Sequence, residues 1–368
     1  MSRIDDLIAE HCPSGVELKR LGDIVRIKNG KDHKTLGDGE FPVYGSGGIM
    51  RYADTYAYNK PSVLIPRKGS LGNLFFVDVP FWNVDTIFYT EIDEVQIRPK
   101  FLYYFLTTAG LGDMNQAGGV PSQTQSVLNE LTIPVPPLEV QHEIVRILDA
   151  FAELTAELTA ELTARKQQYK HYRNQLLSFE DGEVEWKPLG ELAENLDSKR
   201  KPITSGLREI GDIPYYGASG IVDYVKDHIF DGDFLLVSED GANLLARKTP
   251  IAFSVSGKSW VNNHAHVLKF DTYAERRYVE YYLNSIDLTP YISGAAQPKL
   301  NKKNLESISI PNPSPEEKKR IVAILDKFDA LTTSITEGLP REIELRQKQY
   351  EHYRNLLLSF LKSEEVTT

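Results

Sequence analysis

The sequence lacks the paired cysteines of a disulfide framework, the long apolar run of a membrane span and the excess of basic residues typical of a non-specific DNA-binding surface. Its 368 residues include one cysteine, Cys12, so an intramolecular disulfide is excluded and a reducing compartment is expected. It lacks an apolar run of about 18 residues, and its charged start is unlike a signal peptide, so we predict a soluble cytoplasmic protein. With 42 basic and 52 acidic residues its net charge is −10, which argues against a stand-alone non-specific nucleic-acid binder.

The longest regular pattern in the sequence predicts a helix from Leu138 to Phe179. Apolar residues recur there at alternating spacings of four and three, and no Gly or Pro interrupts the run. The tetrad AELT is repeated without a break from Ala152 to Thr163. About 40 helical residues span roughly 60 Å, and a helix of that length with one apolar stripe needs a partner helix.

The chain supplies this partner itself, because the same motifs return near the C-terminus. HEIVRILDAF at 142–151 matches KRIVAILDKF at 319–328, and the motif HYRN at 171–174 returns at 352–355. The second copy has a four-residue insertion between the two motifs, and Gly338 and Pro340 flank it. We therefore expect this helix to break at the insertion and to restart with Pro340 in its first turn.

The duplication extends into the regions before each helix, where the similarity is lower. FPVYGSGGIMRY at 41–52 is echoed by IPYYGASGIVDY at 213–224, among short β-rich runs punctuated by glycine. The predicted fold class is therefore α+β, with two globular units separated by two long helices and related by a pseudo-two-fold internal repeat. The predicted segments are an N-terminal helix at 1–14 that packs on the scaffold, a first unit at 15–137, a central helix at 138–180, a second unit at 181–314, a C-terminal helix at 315–361 and a tail at 362–368.

Candidate DNA-contacting residues lie in loops and at the ends of predicted strands and helices. The glycine loops at 45–48 and 217–220 either bring backbone N–H groups close to phosphate or form a tight turn between strands. Arginine can bridge guanine O6 and N7, lysine can neutralise phosphate, and glutamine can hydrogen-bond base edges, although each such residue can equally be solvated surface. The candidates are Ser46, Arg51, Arg67, Lys68, Ser70, Gln123, Gln125, Lys199, Arg200, Lys201, Arg247, Lys248, Gln297, Lys299 and Lys302.

Motifs for catalysis and for metal binding are incomplete in this sequence. GKS at 257–259 resembles the end of a P-loop but lacks the required upstream glycine. The segments 17–19 and 185–187 have the E-x-K spacing of some nucleases without a convincing metal carboxylate upstream. His264 and His266 have no further His or Cys nearby, which favours structural histidines over metal ligands. No catalytic or metal site is predicted.

The duplicated halves, the heptad helices and sequences such as IPVPPLEVQHEIVRILD and RKQQYKHYRNQLLSF resemble the specificity subunit of type I restriction-modification systems. The AELT tetrads resemble the spacer of the type IC group. The resemblance covers essentially the whole chain, and it is specific in the helices and architectural in the globular units. It implies that each unit is a target recognition domain for one half of a bipartite double-stranded DNA site, and that the two helices pair antiparallel as a coiled-coil spacer.

The same resemblance implies that the chain acts with partners. These are two modification (methyltransferase) subunits and, in the full enzyme, restriction (translocase/endonuclease) subunits. The partners would supply the S-adenosylmethionine, ATP and Mg chemistry, and no cofactor would be bound by this chain directly. The predicted function is therefore a non-catalytic DNA-specificity protein. The alternatives are an orphan DNA-binding or methylation-modulating protein without active partners, and an enzyme acting as a nuclease or a methyltransferase.

Overall fold

A computed structural model of the chain describes residues 3–114, 119–180, 182–294 and 297–360. It contains two compact units: unit 1 runs as far as Leu158 and resumes at Ile343, and unit 2 comprises Thr159–Glu342. The chain passes from unit 1 into unit 2 within its central helix and returns to unit 1 within its last helix. Of the helices in the described ranges, none combines the length and the hydropathy of a membrane span.

Unit 1 is an α+β unit that ends in the first part of the central helix. Its elements, in chain order, are α1 (Arg3–His11), β1 (Glu17–Arg20), α2 (Leu21–Ile24), β2 (Val25–Lys28), β3 (Asp38–Gly45), β4 (Gly48–Ala53), β5 (Ser62–Pro66), β6 (Phe75–Val77), β7 (Trp82–Asn83), β8 (Ile87–Ile92), α3 (Pro99–Leu106), α4 (Gln125–Asn129), β9 (Thr132–Val135) and α5 (Leu138–Leu176).

Unit 2 begins within α5, and after this helix it repeats most of the element order seen from β1 to β9. The elements are β10 (Glu185–Pro188), α6 (Leu189–Leu192), β11 (Glu194–Asn195), β12 (Ile210–Gly217), β13 (Gly220–Val225), β14 (Phe230–Ser238), α7 (Asn243–Ala246), β15 (Ala252–Val261), β16 (Ala265–Lys269), α8 (Tyr273–Ser285), α9 (Lys302–Glu306), β17 (Ser309–Asn312), α10 (Pro315–Thr333) and α11 (Gly338–Leu358). The last of these helices continues into unit 1 from Ile343.

The sheets of the two units have the same topology. In unit 1 the strand orders are β2-β8-β5-β6 and β4-β3-β7, and in unit 2 the equivalent strands form one sheet in the order β11-β16-β14-β15-β12-β13. The first strand of the glycine hairpin has a parallel neighbour in both units, with Val43 opposite Trp82 and Tyr215 opposite Trp260. The strand β5 is buried along its whole length and β14 is buried from Phe234 to Ser238, as a continuous apolar run predicts for a strand covered on both faces. These features confirm the duplicated α+β fold predicted from the sequence.

The glycine loops are tight turns between antiparallel strands. Gly45 pairs with Gly48 across the β3–β4 turn, and Gly217 pairs with Gly220 across the β12–β13 turn. Gly48 and Gly220 have φ values of 114° and 121°, which a residue with a side chain rarely adopts. Of the two roles predicted for these loops, the turn is confirmed and the phosphate contact stays a prediction.

The C-terminal helix breaks at the inserted residues, as predicted. The helix α10 ends at Thr333 and α11 begins at Gly338, with Pro340 in its first turn. Gly338 has a φ of 78°, and a Cβ built there would lie 2.3 Å from the carbonyl oxygen of Ala330. Only glycine therefore fits this junction without a rearrangement. The central helix α5 begins at Leu138 as predicted and ends at Leu176 rather than Phe179.

Each globular unit is attached to its scaffold helix through an equivalent aspartate. In unit 1 the Tyr104 hydroxyl donates to Asp149 at 2.6 Å and Lys100 donates to the same carboxylate at 2.8 Å. In unit 2 the Tyr281 hydroxyl donates to Asp326 at 2.7 Å. Both aspartates belong to the repeated ILD motif, so the duplicated helix sequence carries a duplicated contact.

The N-terminal helix α1 packs on the scaffold, as predicted. Ile4 is buried in the same apolar cluster as Val140 and Ile144 of α5. Arg3 of α1 lies 3.8 Å from Glu143, and the carboxylate of Glu143 is buried beneath this contact.

Candidate nucleic-acid interface

Three segments of unit 1 meet at one edge of its sheets, which we call edge 1: the β3–β4 turn, the residues that follow β5 and the segment that precedes α4. Thr86 joins the first two, because Ser46 N–H donates to its Oγ1 at 3.3 Å and Arg67 N–H donates to its carbonyl oxygen at 2.8 Å. Gly69 N–H donates to Pro121 O at 2.8 Å and joins the third segment.

Edge 1 collects side chains that suit DNA from separate parts of the sequence. Lys68 and Ser70 are exposed, and Gln125 is half-buried at the start of α4. The Arg67 guanidinium is half-buried and lies 5.9 Å from the centroid of the Phe88 ring. The structure therefore brings together Ser46, Arg67, Lys68, Ser70, Gln123 and Gln125, which were predicted individually.

The prediction for Gln123 is corrected by its burial. Its side chain is 1% exposed, and its Nε2 donates to the carbonyl oxygen of Pro66 at 2.6 Å. Gln123 N–H also donates to Arg67 O at 3.0 Å. Gln123 thus holds two segments of edge 1 together, and its amide group faces the protein interior rather than a base edge.

Arg51 lies on β4 and is used within unit 1. Its Nη2 donates to Asp38 Oδ1 at 2.7 Å, to Gly37 O at 3.0 Å and to Leu36 O at 3.2 Å. These contacts fix the start of β3, so the structure gives Arg51 a structural role that its sequence position did not indicate.

The equivalent segments of unit 2 meet in the same way, and we call this place edge 2. The Ser238 hydroxyl donates to Ala218 O in the β12–β13 turn, and Gly241 N–H donates to Pro298 O at 3.2 Å. Glu239 N–H donates to His264 O at 2.9 Å, so His264 occupies the place that Thr86 has in unit 1. Edge 2 also includes Gln297 and Lys299, which are exposed.

The charges at the two edges differ although the backbone arrangement is the same. Arg67 and Lys68 follow β5, whereas Glu239 and Asp240 follow β14 at the equivalent positions. At edge 2 the cation lies on the neighbouring segment instead, where Lys299 Nζ is 3.0 Å from Glu239 Oε1. The two edges therefore present different chemistry to whatever they bind.

A buried ion-pair network lies directly behind edge 2. His266 is 0% exposed, with Nδ1 2.6 Å from Asp197 Oδ2 and Nε2 2.7 Å from Leu300 O. A carbonyl oxygen and a carboxylate are both hydrogen-bond acceptors, so each ring nitrogen of His266 has an acceptor within hydrogen-bonding distance. Burial raises the pKa of Asp197, but the hydrogen bond from His266 and the nearby positive charges outweigh it and leave that pKa below its usual value.

Arg200 belongs to this network, which corrects its predicted DNA contact. Its Nη1 donates to Glu239 Oε2 at 2.6 Å and to Ala265 O at 2.8 Å, and its side chain is 13% exposed. Burial raises the pKa of Glu239, but the hydrogen bonds from Arg200 and Lys299 lower it by more. The pKa of Glu239 therefore lies below its usual value. Arg200 therefore fixes the carboxylates behind edge 2.

Among the described residues, Asp197, Glu239 and His266 have a geometry that could hold a metal ion, since one donor atom of each lies within 4.8 Å of the others. The Arg200 guanidinium, however, supplies the positive charge between the two carboxylates. Nε2 of His266 is engaged by a carbonyl oxygen. The donor set is thus satisfied as an ion-pair network, and His266 has the structural role predicted for it.

Arg247 is also corrected, because it closes the C-terminal end of α8. Its Nη2 donates to Ile286 O at 2.8 Å and to Asn284 O at 3.3 Å, and burial lowers the pKa of the guanidinium. The remaining predicted cations of unit 2 are exposed, and they are Lys199, Lys201, Lys248 and Lys302. Lys302 Nζ lies 3.6 Å from Glu306 Oε1 of the same helix.

Sequence reasoning missed Thr86, Asp240 and His264 as parts of the two edges. Thr86 carries no sequence signal of its own, and His264 was predicted to be a structural histidine rather than part of a binding surface. Aligning the two halves of the chain would have found Asp240, because it stands where the first half has Lys68.

Comparison with known proteins places this arrangement in a described group. A family model described as "Type I restriction modification DNA specificity domain" matches residues 13–165 and 182–345. The Escherichia coli EcoR124I/EcoR124II specificity subunit is 39% identical over 315 residues, which cover 76% of this chain and 75% of the relative. The EcoprrI specificity subunit, also of Escherichia coli, is 40% identical over 302 residues, or 75% of this chain and 73% of that protein.

Two solved structures share the fold at lower sequence identity. The crystal structure of a type I restriction-modification S subunit from M. genitalium has a TM-score of 0.66 and 18% identity, with 94% of this chain and 96% of that chain covered. A structure from work on complex assembly and conformational transition of the type I R-M system has a TM-score of 0.55 and 16% identity, with 94% and 98% covered.

Proposed function

This chain belongs to the family of type I restriction modification DNA specificity domains, and on that premise we propose that each unit reads one half of a bipartite DNA target at its own edge. The observation that carries the proposal is the convergence at edge 1 of an exposed lysine, an arginine and a glycine turn from separate parts of the sequence. Lysine and turn N–H groups suit phosphate, and arginine suits guanine.

We propose further that the chain acts as the DNA-reading subunit of a larger enzyme. It recruits two modification (methyltransferase) subunits and, in the restriction enzyme, the restriction subunits. Those partners bind S-adenosylmethionine, ATP and Mg, whereas this chain contributes recognition and no chemical step. The incomplete catalytic motifs support this division, and the net charge of −10 agrees with DNA binding beside more basic partners.

The experiment uses the full chain expressed in the cytoplasm together with its modification subunit. Methylation mapped by long-read sequencing should give one bipartite motif that depends on the chain. Replacing Arg67 and Lys68 together by Ala should weaken binding of the complex to that motif by at least about ten-fold, since each removes a base or phosphate contact. The control is Lys60→Ala, because Lys60 is exposed just before β5, at the strand's opposite end.

A complex that methylates without sequence preference would contradict the proposal, as would equal binding by the Arg67/Lys68 double variant and the Lys60 variant. Methyl transfer or DNA cleavage by the purified chain, free of partner protein, would contradict the division of roles.

A further inference from the structure

Asp240 of edge 2 stands where edge 1 has Lys68. Each residue follows the buried central strand of its unit, two positions after the strand's last residue. Each also forms an isolated bridge with the neighbouring segment, Lys68 with Ser122 and Asp240 with Lys299. The place in the fold is therefore the same, and the charge of the side chain is opposite.

The Asp240 carboxylate is positioned by His264 and retains capacity to accept hydrogen bonds. Nδ1 of His264 lies 2.9 Å from Asp240 Oδ1 and 2.8 Å from Oδ2. The histidine backbone is fixed in turn, because its N–H donates to Asn262 Oδ1 at 2.8 Å. A carboxylate offers about four lone-pair sites. Since Asp240 is 31% exposed and His264 50% exposed, the remaining sites face solvent at edge 2.

The groups on DNA that a carboxylate can bind are limited by its charge. Phosphate repels it, and base carbonyl oxygens and ring nitrogens are acceptors like the carboxylate itself. The exocyclic amino groups remain: N4 of cytosine and N6 of adenine in the major groove, and N2 of guanine in the minor groove. Exposed Lys199 and Lys201, on either side of the Arg200 that bonds to Glu239, provide positive charge for phosphates near this acceptor.

We propose that Asp240 is a specificity-determining residue of unit 2, which accepts a hydrogen bond from an exocyclic amino group in the major groove, N4 of cytosine or N6 of adenine. His264 is its positioning residue. The inference rests on the proposed function and deepens it: the two edges read different chemistry, with a donor at Lys68 in unit 1 and an acceptor at Asp240 in unit 2.

The experiment compares the full complex carrying wild-type chain, Asp240→Ala or Asp271→Ala. Asp271 is a matched control, because it is exposed and lies beyond the far end of β16 from edge 2. Binding is measured on DNA that carries the target motif found by methylation mapping, and on derivatives that lack one exocyclic amino group at a time. Purine replaces adenine, 2-pyrimidinone replaces cytosine and inosine replaces guanine in these derivatives. Thermal unfolding of each variant confirms that it is folded.

For the wild type and Asp271→Ala, deletion of one major-groove amino group in the half-site of unit 2 should weaken binding by about ten-fold. This factor is near the lower end of the discrimination that a good base contact provides. Asp240→Ala should bind both DNAs equally. Asp240→Asn, which adds a donor, should favour adenine at that position. His264→Phe should weaken discrimination there alone, whereas a merely structural role would lower affinity for all sequences alike.

The inference would be overturned if the Asp240→Ala complex still bound about ten-fold more weakly after the same amino group is deleted. It would also be overturned if Asp240→Ala abolished the effect of replacing a guanine by inosine instead. In both cases the wild-type complex still prefers one motif, so the proposed function would stand. A wild-type complex with no preferred motif would instead contradict the proposed function itself.

Discussion

Phe151 stacks on Tyr353 in unit 1, with ring centroids 5.4 Å apart and an interplanar angle of 22°. Phe328 stacks on Tyr172 in unit 2 at 5.6 Å and 29°. The phenylalanines end the matching segments HEIVRILDAF and KRIVAILDKF, and the tyrosines belong to the two copies of HYRN. Each unit therefore packs the first motif of one repeat against the second motif of the other. The stacked rings therefore lie in the two helix segments that are most similar between the halves of the chain.

The stack predicts a measurable coupling between the two rings of unit 1. Phe151→Ala should lower the free energy of unfolding by about 1–2 kcal/mol, less than for a fully buried phenylalanine, because both rings are partly exposed. In a double-mutant cycle with Tyr353→Ala, denaturant unfolding should give a coupling energy of about 0.5–1.5 kcal/mol. The pair Phe328 and Tyr172 should behave alike. Strictly additive losses would show that the rings do not stabilise the helix contact.

The attachment of α3 to α5 predicts different effects for two adjacent tyrosines. Tyr104 is buried and donates to Asp149, and burial followed by this hydrogen bond raises the pKa of its hydroxyl. Tyr104→Phe should lower the free energy of unfolding by about 1–3 kcal/mol, because it removes a hydrogen bond to a charged carboxylate, which keeps only the bond from Lys100. Tyr103→Phe is the control and should change stability by less than about 0.5 kcal/mol. Equal losses would contradict the assigned contact.

The network behind edge 2 predicts a loss of stability in acid. Asp197 and Glu239 have pKa values below their usual ones in the folded protein. At a pH near the usual carboxyl pKa, the folded protein therefore binds fewer protons at these two groups than the unfolded chain does. Their contribution is therefore complete above about pH 5 and falls as the pH drops below about 4. The difference in Tm between wild type and Asp197→Asn should shrink over that range. A difference independent of pH would contradict the network, and Asp271→Asn should follow the wild type throughout.

The basic run at 199–201 is predicted to divide into two functions. Lys199 and Lys201 are exposed, so replacing both by Ala should weaken DNA binding by the complex and reduce its salt dependence by up to about two counterions. Arg200→Ala should instead lower stability by about 3–5 kcal/mol, because two buried carboxylates lose the guanidinium between them and keep only His266 and Lys299 as partners. An unchanged salt slope in the lysine variant would assign both lysines to solvated surface.

The scaffold was predictable from the sequence because its signals are periodic or repeated. The apolar seam of α5, the break before Pro340 and the turns at Gly48 and Gly220 each depend on residues close in the chain. The internal repeat then predicted that the two units share one arrangement of elements, and most elements from β1 to β9 have a counterpart in unit 2.

The roles of individual polar residues were not predictable in this way. Gln123 bonds to a carbonyl 57 residues away, and Arg200 and Arg247 each bond to groups 39 residues away. Whether a polar side chain faces solvent or closes a buried network depends on such distant partners, which a single sequence does not display. Exposed Lys68 and buried Gln123 therefore looked equally suitable for DNA, although only Lys68 faces outward.

The central claim is that each unit reads its half of the DNA site independently, and exchanging one unit tests it most directly. Residues 16–137, the globular part of unit 1, are replaced by the corresponding residues of another specificity subunit. The exchanged segment begins before β1 and ends after β9, so that this pair of strands is transferred whole. Methylation is mapped by long-read sequencing in cells that express the chimera with the modification subunit. One half of the methylated motif should change while the half read by unit 2 stays the same. A motif altered in both halves, or in neither, would contradict the account.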